Sequence, residues 1–254
     1  MSDVHGKFVS RLSGVCGSVA AVMVFGSVAL GAPTTDYQAS SGVLPNASGQ
    51  IFEGGTSSGT QYMSFVDDGG GNTVLNIDTQ DTNAAAYFQT SSAHWNVDRN
   101  TGYSVEIRLR LDDVEATEGG SADIIFGSSD RGTSLRFSRG AGASTGTAAF
   151  KSGFNNTVVG STTLSDPGNF HTYRVDVLGD NIDLYIDNVL AIDNAQDSTA
   201  GALNFLRLGD GTSTADGHYQ VQFLKTYQNG VAVPEPASLA VLALGGLFLR
   251  RRVR

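Results

Sequence analysis

Residues 170–190 read FHTYRVDVLGDNIDLYIDNVL. The stretch predicts three strands in succession. Phe170–Leu178 is the first, and Gly179-Asp180-Asn181 turns it. Ile182, Leu184 and Ile186 form one face of the second, and Asp187-Asn188 turns the chain into Val189–Ile192. Apolar residues at every second position put one face of each strand in a core and the other in water. Short connections rich in Gly, Asn and Asp join neighbours antiparallel, so the reading is a meander.

Working outward, Tyr103–Leu111 gives the same period. Tyr103, Val105, Ile107, Leu109 and Leu111 alternate with Ser104, Glu106, Arg108 and Arg110. Shorter strands are predicted at Gln50–Phe52, Gln61–Val66, Thr73–Ile77, Ala84–Gln89, Ile124–Phe126, Ser134–Ser138, Ala148–Lys151, Thr157–Val159, Leu203–Leu208 and Tyr219–Tyr227. Helical periodicity with caps is absent between residues 32 and 230, and 32 glycines supply turns. The fold class is all-β: a two-sheet antiparallel sandwich.

The late strands resemble those of the concanavalin A-like jelly roll, the superfamily of laminin G-like domains, legume lectins and several glucanases. Tyr173, Val175, Leu184, Tyr185, Ile186 and Asp187 hold the places of its paired late strands. Leu208, Gly209, Asp210, Gly217 and Phe223 match its closing pair. The resemblance covers residues 50–230. It implies a jelly-roll sandwich and says little about function.

The glucanases of that superfamily carry Glu-x-Asp-x-x-Glu on one strand, placing the acid and the nucleophile on one face. That spacing is missing: Glu106 is followed two residues on by Arg108. Asp112, Asp113, Glu115 and Glu118 cluster where a strand runs into a Gly-rich loop, and Asp183 and Asp187 read as solvated turn carboxylates. His94, His171 and His218 form no recognisable triad, and no His/Cys set has zinc spacing. On these grounds the sandwich is expected to be non-enzymatic, with no catalytic residues. A glucanase-like hydrolase or lyase on the same fold is the alternative.

Two binding readings stay open. His94-Trp95-Asn96 holds the only tryptophan, after Tyr87-Phe88 in a polar stretch. Trp95, with Tyr87 and Tyr103, is a candidate platform for a sugar ring, and core is the other reading for a tryptophan. Asp67, Asp68 and Asn72 flank three glycines and are candidate calcium ligands, the alternative being a glycine turn with exposed acids. No cofactor is otherwise indicated.

The two ends carry a separate message. Residues 233–254 read VPEPASLAVLALGGLFLRRRVR: a Pro234-Glu235-Pro236 triplet, an uncharged apolar run from Ala237 to Leu249, and Arg250, Arg251, Arg252 and Arg254. Thirteen helical residues cover roughly 20 Å of a bilayer core of about 30 Å. Crossing needs local thinning or snorkelling arginines, which stay cytoplasmic. This tail resembles the PEP-CTERM sorting signal of Gram-negative bacteria. That resemblance implies a transient inner-membrane anchor and an exosortase that cuts near the triplet.

At the other end, Lys7 and Arg11 precede the apolar stretch Val15–Leu30, with Ala29 and Gly31 at signal-peptidase spacing. Residues 1–31 are therefore read as a signal peptide, 32–49 as a lead-in, 50–230 as the sandwich and 231–254 as the sorting tail. Cys16, the only cysteine, falls inside the signal, so the mature part holds no disulfide. Of the 16 basic residues, Lys7, Arg11 and the four terminal arginines lie in these two end segments. The part between is thus more acidic than the whole chain's −9. Such a chain repels nucleic acid. The expectation is an exported protein that is structural, adhesive or carbohydrate-binding. It would be held at the inner membrane, then released to the cell surface or the extracellular polysaccharide matrix. Its partners would be signal peptidase, exosortase and polysaccharide.

Overall fold

The computed structural model describes residues 35–82, 84–115, 122–152, 157–197, 203–210 and 216–231. The signal segment and the sorting tail lie outside them. The strands are β1 (Thr35–Gln38), β2 (Thr56–Ser58), β3 (Met63–Asp67), β4 (Thr73–Asp78), β5 (Ala86–Gln89), β6 (Tyr103–Val114), β7 (Ala122–Gly127) and β8 (Gly132–Ser138). They continue with β9 (Thr145–Ser152), β10 (Thr157–Ser165), β11 (His171–Leu178), β12 (Asn181–Ile186), β13 (Val189–Gln196), β14 (Leu206–Asp210) and β15 (Gly217–Tyr227).

They form two antiparallel sheets. The larger runs β13-β12-β11-β6-β15-β4-β3, and the smaller runs β10-β9-β8-β7-β14-β5-β2. Two short strands share one edge of β15 end to end: His218–Val221 pairs with β4, and Phe223–Gln38 marks the end of its pairing with β1. The predicted meander is present as β11-β12-β13. Its second turn is Asp187-Asn188, both at positive φ (49° and 66°), the backbone that a tight two-residue hairpin requires.

The alternation in the sequence becomes the core. Tyr103, Val105, Ile107, Leu109 and Leu111 of β6 and Tyr173, Val175 and Val177 of β11 point inward. They meet Ile124, Phe126, Leu135, Phe137 and Phe150 of the smaller sheet. Edge-to-face ring contacts thread the interior from Trp95 through Tyr103 and Phe126 to Phe150, with centroids 5.6, 6.4 and 6.4 Å apart.

Three local expectations change. Gln50–Phe52 is a turn, not a strand: Ile51 and Phe52 are apolar because they are buried. The stretch read as lead-in supplies β1, which joins the larger sheet along β15. β2 adds an edge strand to the smaller sheet, and all three of its residues are exposed.

Candidate active site

The outward face of the larger sheet is unusually polar for its burial. Ser104, Arg174, Asp176 and Gln220 point away from the core, yet are almost fully buried among their neighbours. The centre of this face is a cross-strand arrangement on β11 and β12. Asp176 lies directly opposite Asp183, and Arg174 directly opposite Tyr185. Directly opposed antiparallel residues place their Cβ atoms about 4.5–5.5 Å apart.

Each side chain of this quartet is held. Asp176 Oδ1 accepts from Ser104 Oγ at 2.7 Å and from Arg174 Nε at 3.1 Å. The Arg174 guanidinium lies over the Tyr185 ring, 4.1 Å from its centroid. Asp183 Oδ1 accepts the Asn194 N–H at 2.7 Å, where the β12–β13 register is interrupted.

Burial pushes the Asp176 carboxyl above the ordinary aspartate range. The Ser104 hydroxyl and the Arg174 charge oppose this, and Asp183 adds to it. Both donors engage Oδ1. Burial likewise raises the Tyr185 phenol, with Asp176 and Asp183 acting in the same sense. On the neighbouring strands, Glu106 stands opposite Arg174 and 3.4 Å from Lys225 Nζ, and Arg108 Nη1 donates to Thr172 Oγ1 at 3.2 Å. Leu190, opposite Tyr185, is an exposed apolar residue beside the site.

The residues singled out in the sequence lie elsewhere. Trp95 is fully buried, and its Nε1 donates to the Gly127 carbonyl at 2.6 Å. Tyr103 is also buried, edge-on to Trp95. Of the two readings for Trp95, its placement is that of a core residue, with no ring face at the surface for a sugar. Tyr87 stands on the outward face of the smaller sheet, under the Arg207 guanidinium at 4.6 Å. The three aromatic residues therefore do not form one platform.

Asp67, Asp68 and Asn72 do share a turn. Asp67 Oδ1 accepts from the N–H groups of Gly69 and Gly71, and Asp68 Oδ1 from those of Gly70 and Asn72. Asp68 Oδ2 accepts from Asn72 Nδ2 at 2.9 Å. The Asn72 amide, then the Gly70 and Asn72 N–H groups, hold the Asp68 carboxyl below its usual range. These oxygens are engaged in closing the turn. A cation there would have to compete with the N–H groups of the turn. Among the described residues, no three His, Cys, Asp or Glu side chains gather as a metal-holding group. Pro234, Glu235, Pro236, Arg250, Arg251, Arg252 and Arg254 lie outside the described residues.

No family model and no curated protein matches the chain. Solved structures do. A carbohydrate esterase from Shiga toxin-encoding bacteriophage phi24B superposes with a TM-score of 0.56 at 15% identity, over 79% of this chain and 100% of that one. The chain has the fold of that protein. An endo-1,3-beta-glucanase from Streptomyces sioyaensis gives a TM-score of 0.41 at 14% identity, over 75% of this chain and 87% of its own. A Botulinum neurotoxin type G receptor binding domain gives 0.45 at 11%, over 78% and 48%.

These are likenesses of fold. The first of them corrects one expectation, that the sandwich is non-enzymatic: the fold is shared with a carbohydrate esterase, so the fold gives no ground for excluding an enzyme. The physical reason for the error is plain. The exclusion looked for a glucanase motif within one strand, a triad and a zinc spacing, and carboxyls carried on two different strands, such as Asp176 and Asp183, are brought together only by sheet register.

Proposed function

We propose that the chain is an exported glycan-cleaving protein, with its active site on the outward face of the larger sheet. The observation that carries this reading is the opposition of Asp176, its carboxyl raised by burial, to Asp183. Glycoside hydrolysis needs one carboxyl that holds a proton at working pH and a second carboxylate across the scissile bond. Asp176 gives its proton to the glycosidic oxygen as the bond to the anomeric carbon breaks. Asp183 attacks that carbon from the opposite face. Water then releases the sugar, returning a proton to Asp176.

The Cβ atoms of opposed residues stand about 4.5–5.5 Å apart; Ser104 draws the Asp176 carboxyl toward β6 and the Asn194 N–H draws that of Asp183 toward β13, so a sugar would sit between carboxyls that lean apart. Tyr185, fixed from one side by Arg174, with Leu190 beside it, offers an apolar surface for a sugar ring. Delivery rests on the sequence of the two ends. The segment 1–31 starts export, and the Pro234-Glu235-Pro236 tail holds the protein in the inner membrane until an exosortase cuts it. The substrate class is polysaccharide outside the cell.

The test is release of reducing ends from a panel of soluble polysaccharides by the purified chain, with Asp176→Asn and Asp183→Asn beside it. Activity in the parent chain and loss of at least ~100-fold in both variants supports the reading. Activity that survives both substitutions, or no activity on any polysaccharide, rejects it.

A further inference from the structure

Two open sheets have four outer edges, and three of these are guarded against pairing with another chain. β2 is only three residues long. β3 is five residues long and ends on Asp67, with Asp68 next. β13 carries Asp193, takes a positive φ at Asn194 and shifts register with β12 at two places. Short length, charge and irregular backbone are the devices that keep sheet edges from joining.

The fourth edge has none of the first two. β10 is nine residues long, without charge or proline, and Thr157, Val158, Val159, Thr162 and Thr163 are β-branched. β9 pairs with one side of it, and among the described residues nothing hydrogen-bonds the other side. Every second residue of an antiparallel strand aims its N–H and C=O away from a given neighbour, so the open side holds a row of donors and acceptors. β13 packs on the inner face of β10 at Gly160, where a Cβ would stand 2.9 Å from Ile192 Cγ2, but forms no ladder with it. Thr157, Val158, Ser161, Thr163 and Ser165 are exposed. The one irregularity of β10 lies between Val158 and Gly160, and from Gly160 to Ser165 its register with β9 is unbroken.

We infer that this edge pairs antiparallel with the same edge of a second copy of the chain. Charge favours that occupant. The chain carries a net charge of −9, so copies repel one another except where they meet over an uncharged surface, and β10 is one. A charged peptide would find no counter-charge on it. The strand also complements itself. Identical strands paired antiparallel are related by a two-fold axis perpendicular to the sheet, so the contact closes at two copies. With Thr163 on that axis, Thr163 meets Thr163 and Ser161 meets Ser165, hydroxyl pairs that sheets favour and that oppose no like charges.

A two-fold axis of this kind keeps each face of the sheet on its own side. The two smaller sheets become one continuous sheet, and both larger sheets lie on the same side of it. The Asp176–Asp183 faces of the two copies then point the same way, and one dimer holds two segments of a polysaccharide surface at once. That consequence rests on the proposed function, whereas the pairing itself does not.

The experiment is sedimentation velocity of the purified full chain from about 1 to about 100 μM, since a dimer's population depends on concentration. A mild detergent keeps the apolar end segments apart. Beside the parent stand the double variant Ser161→Lys/Thr163→Lys, which changes only exposed residues of β10, and Ser64→Lys, at an exposed residue of the β3 edge. Circular dichroism checks that each folds, and hydrogen exchange of the β10 amides is followed over the same concentrations. Expected is a monomer–dimer equilibrium in the parent and in Ser64→Lys, with the dissociation constant raised ~10-fold or more by the paired lysines, because like charges set opposite each other repel. The β10 amides of the parent should exchange more slowly as concentration rises. Overturning results are a parent that stays monomeric, a dimer that the two lysines leave intact, assembly that grows beyond two copies, or β10 exchange that ignores concentration. The last of these decides the matter even if the lysine variant fails to fold. Polysaccharide cleavage is read separately, so failure of the pairing leaves that result standing, and the reverse.

Discussion

Asp176 and Asp183 face each other across the β11–β12 hairpin, and only one of them is held by a side-chain cation. Arg174 and Ser104 bind Asp176 through a single oxygen, whereas Asp183 answers to a backbone N–H on β13. Two like carboxyls in one row therefore have unlike surroundings, the condition under which one serves as acid and the other as base or nucleophile.

Asp176→Asn should abolish polysaccharide cleavage while leaving the fold at least as stable at neutral pH. A carboxyl raised by burial binds its proton more tightly in the folded than in the unfolded chain. Its contribution to stability is present below the unfolded value near 3.9 and is lost as pH rises through the folded one. The amide removes that loss. Urea denaturation at a series of pH values from about 4 upward checks it: the parent should lose stability relative to the variant as pH rises above the unfolded aspartate value.

Asp187 should act in the opposite sense. Burial alone would raise its carboxyl, but the Thr172 N–H and the His171 ring outweigh burial and hold it low. Nδ1 of His171 lies 2.6 Å from Asp187 Oδ2. The stability this contributes is present above the unfolded aspartate value and is lost as pH falls through the depressed one. Asp187→Asn should therefore destabilise at pH 6, by about 1 kcal/mol or less given how exposed the pair is, with the difference vanishing toward pH 2. Thermal melts over that range read it.

Trp95→Ala should cost about 3–5 kcal/mol, as removal of a large buried aromatic side chain does. Trp95→Phe should cost less but leave the Gly127 carbonyl without its donor. In the parent chain, tryptophan fluorescence should resist iodide quenching, because the only tryptophan is enclosed. Strong quenching would contradict the burial.

Gly209→Ala should destabilise by about 1–3 kcal/mol. Gly209 has φ of 129°, and a Cβ there would stand 2.3 Å from the Ala86 carbonyl oxygen on the paired strand. Both objections are backbone ones, so no side-chain movement relieves them. Chemical denaturation of the variant measures the effect.

Replacing Pro234, Glu235 and Pro236 by alanines should change the mass of the protein recovered from cells that possess an exosortase. The parent should lose about its last 20 residues, and the variant should keep them in the inner membrane fraction. Intact tails on both would reject the sorting proposal.

Much of this fold was legible, because strand alternation is a local signal. β6 shows it over nine of its twelve residues, from Tyr103 to Leu111, and the 170–190 stretch shows it in two successive strands between Gly, Asn and Asp turns. β1 and β2 were not legible: each is short and mostly polar, and each exists because a neighbour offers an open edge. Ile51 and Phe52 misled for the converse reason, since apolar residues in a turn can be buried without pairing.

The candidate site was half legible. Both aspartates stand in the quoted stretch, and the hairpin pairs Leu178 with Asn181, so counting back from a two-residue turn gives Asp176 opposite Asp183. Reading the turn as Gly179-Asp180-Asn181 hid that register by one residue.

β15 is the last of the described strands, yet it lies inside the larger sheet, with β6 on one side and β4 and β1 on the other. Until it arrives, the earlier strands of that sheet form two separate ribbons with a gap between them. Such long-range closure is slow, because distant segments must be gathered before any contact rewards it. A chain threaded through a membrane from its N-terminus would stay open, and hence easy to thread, until nearly all of it had passed. Closure would then come with the final described strand, just ahead of the Pro-Glu-Pro triplet. Under the proposed export, the order of strands would make the sandwich a timer, completing itself only when delivery is all but finished.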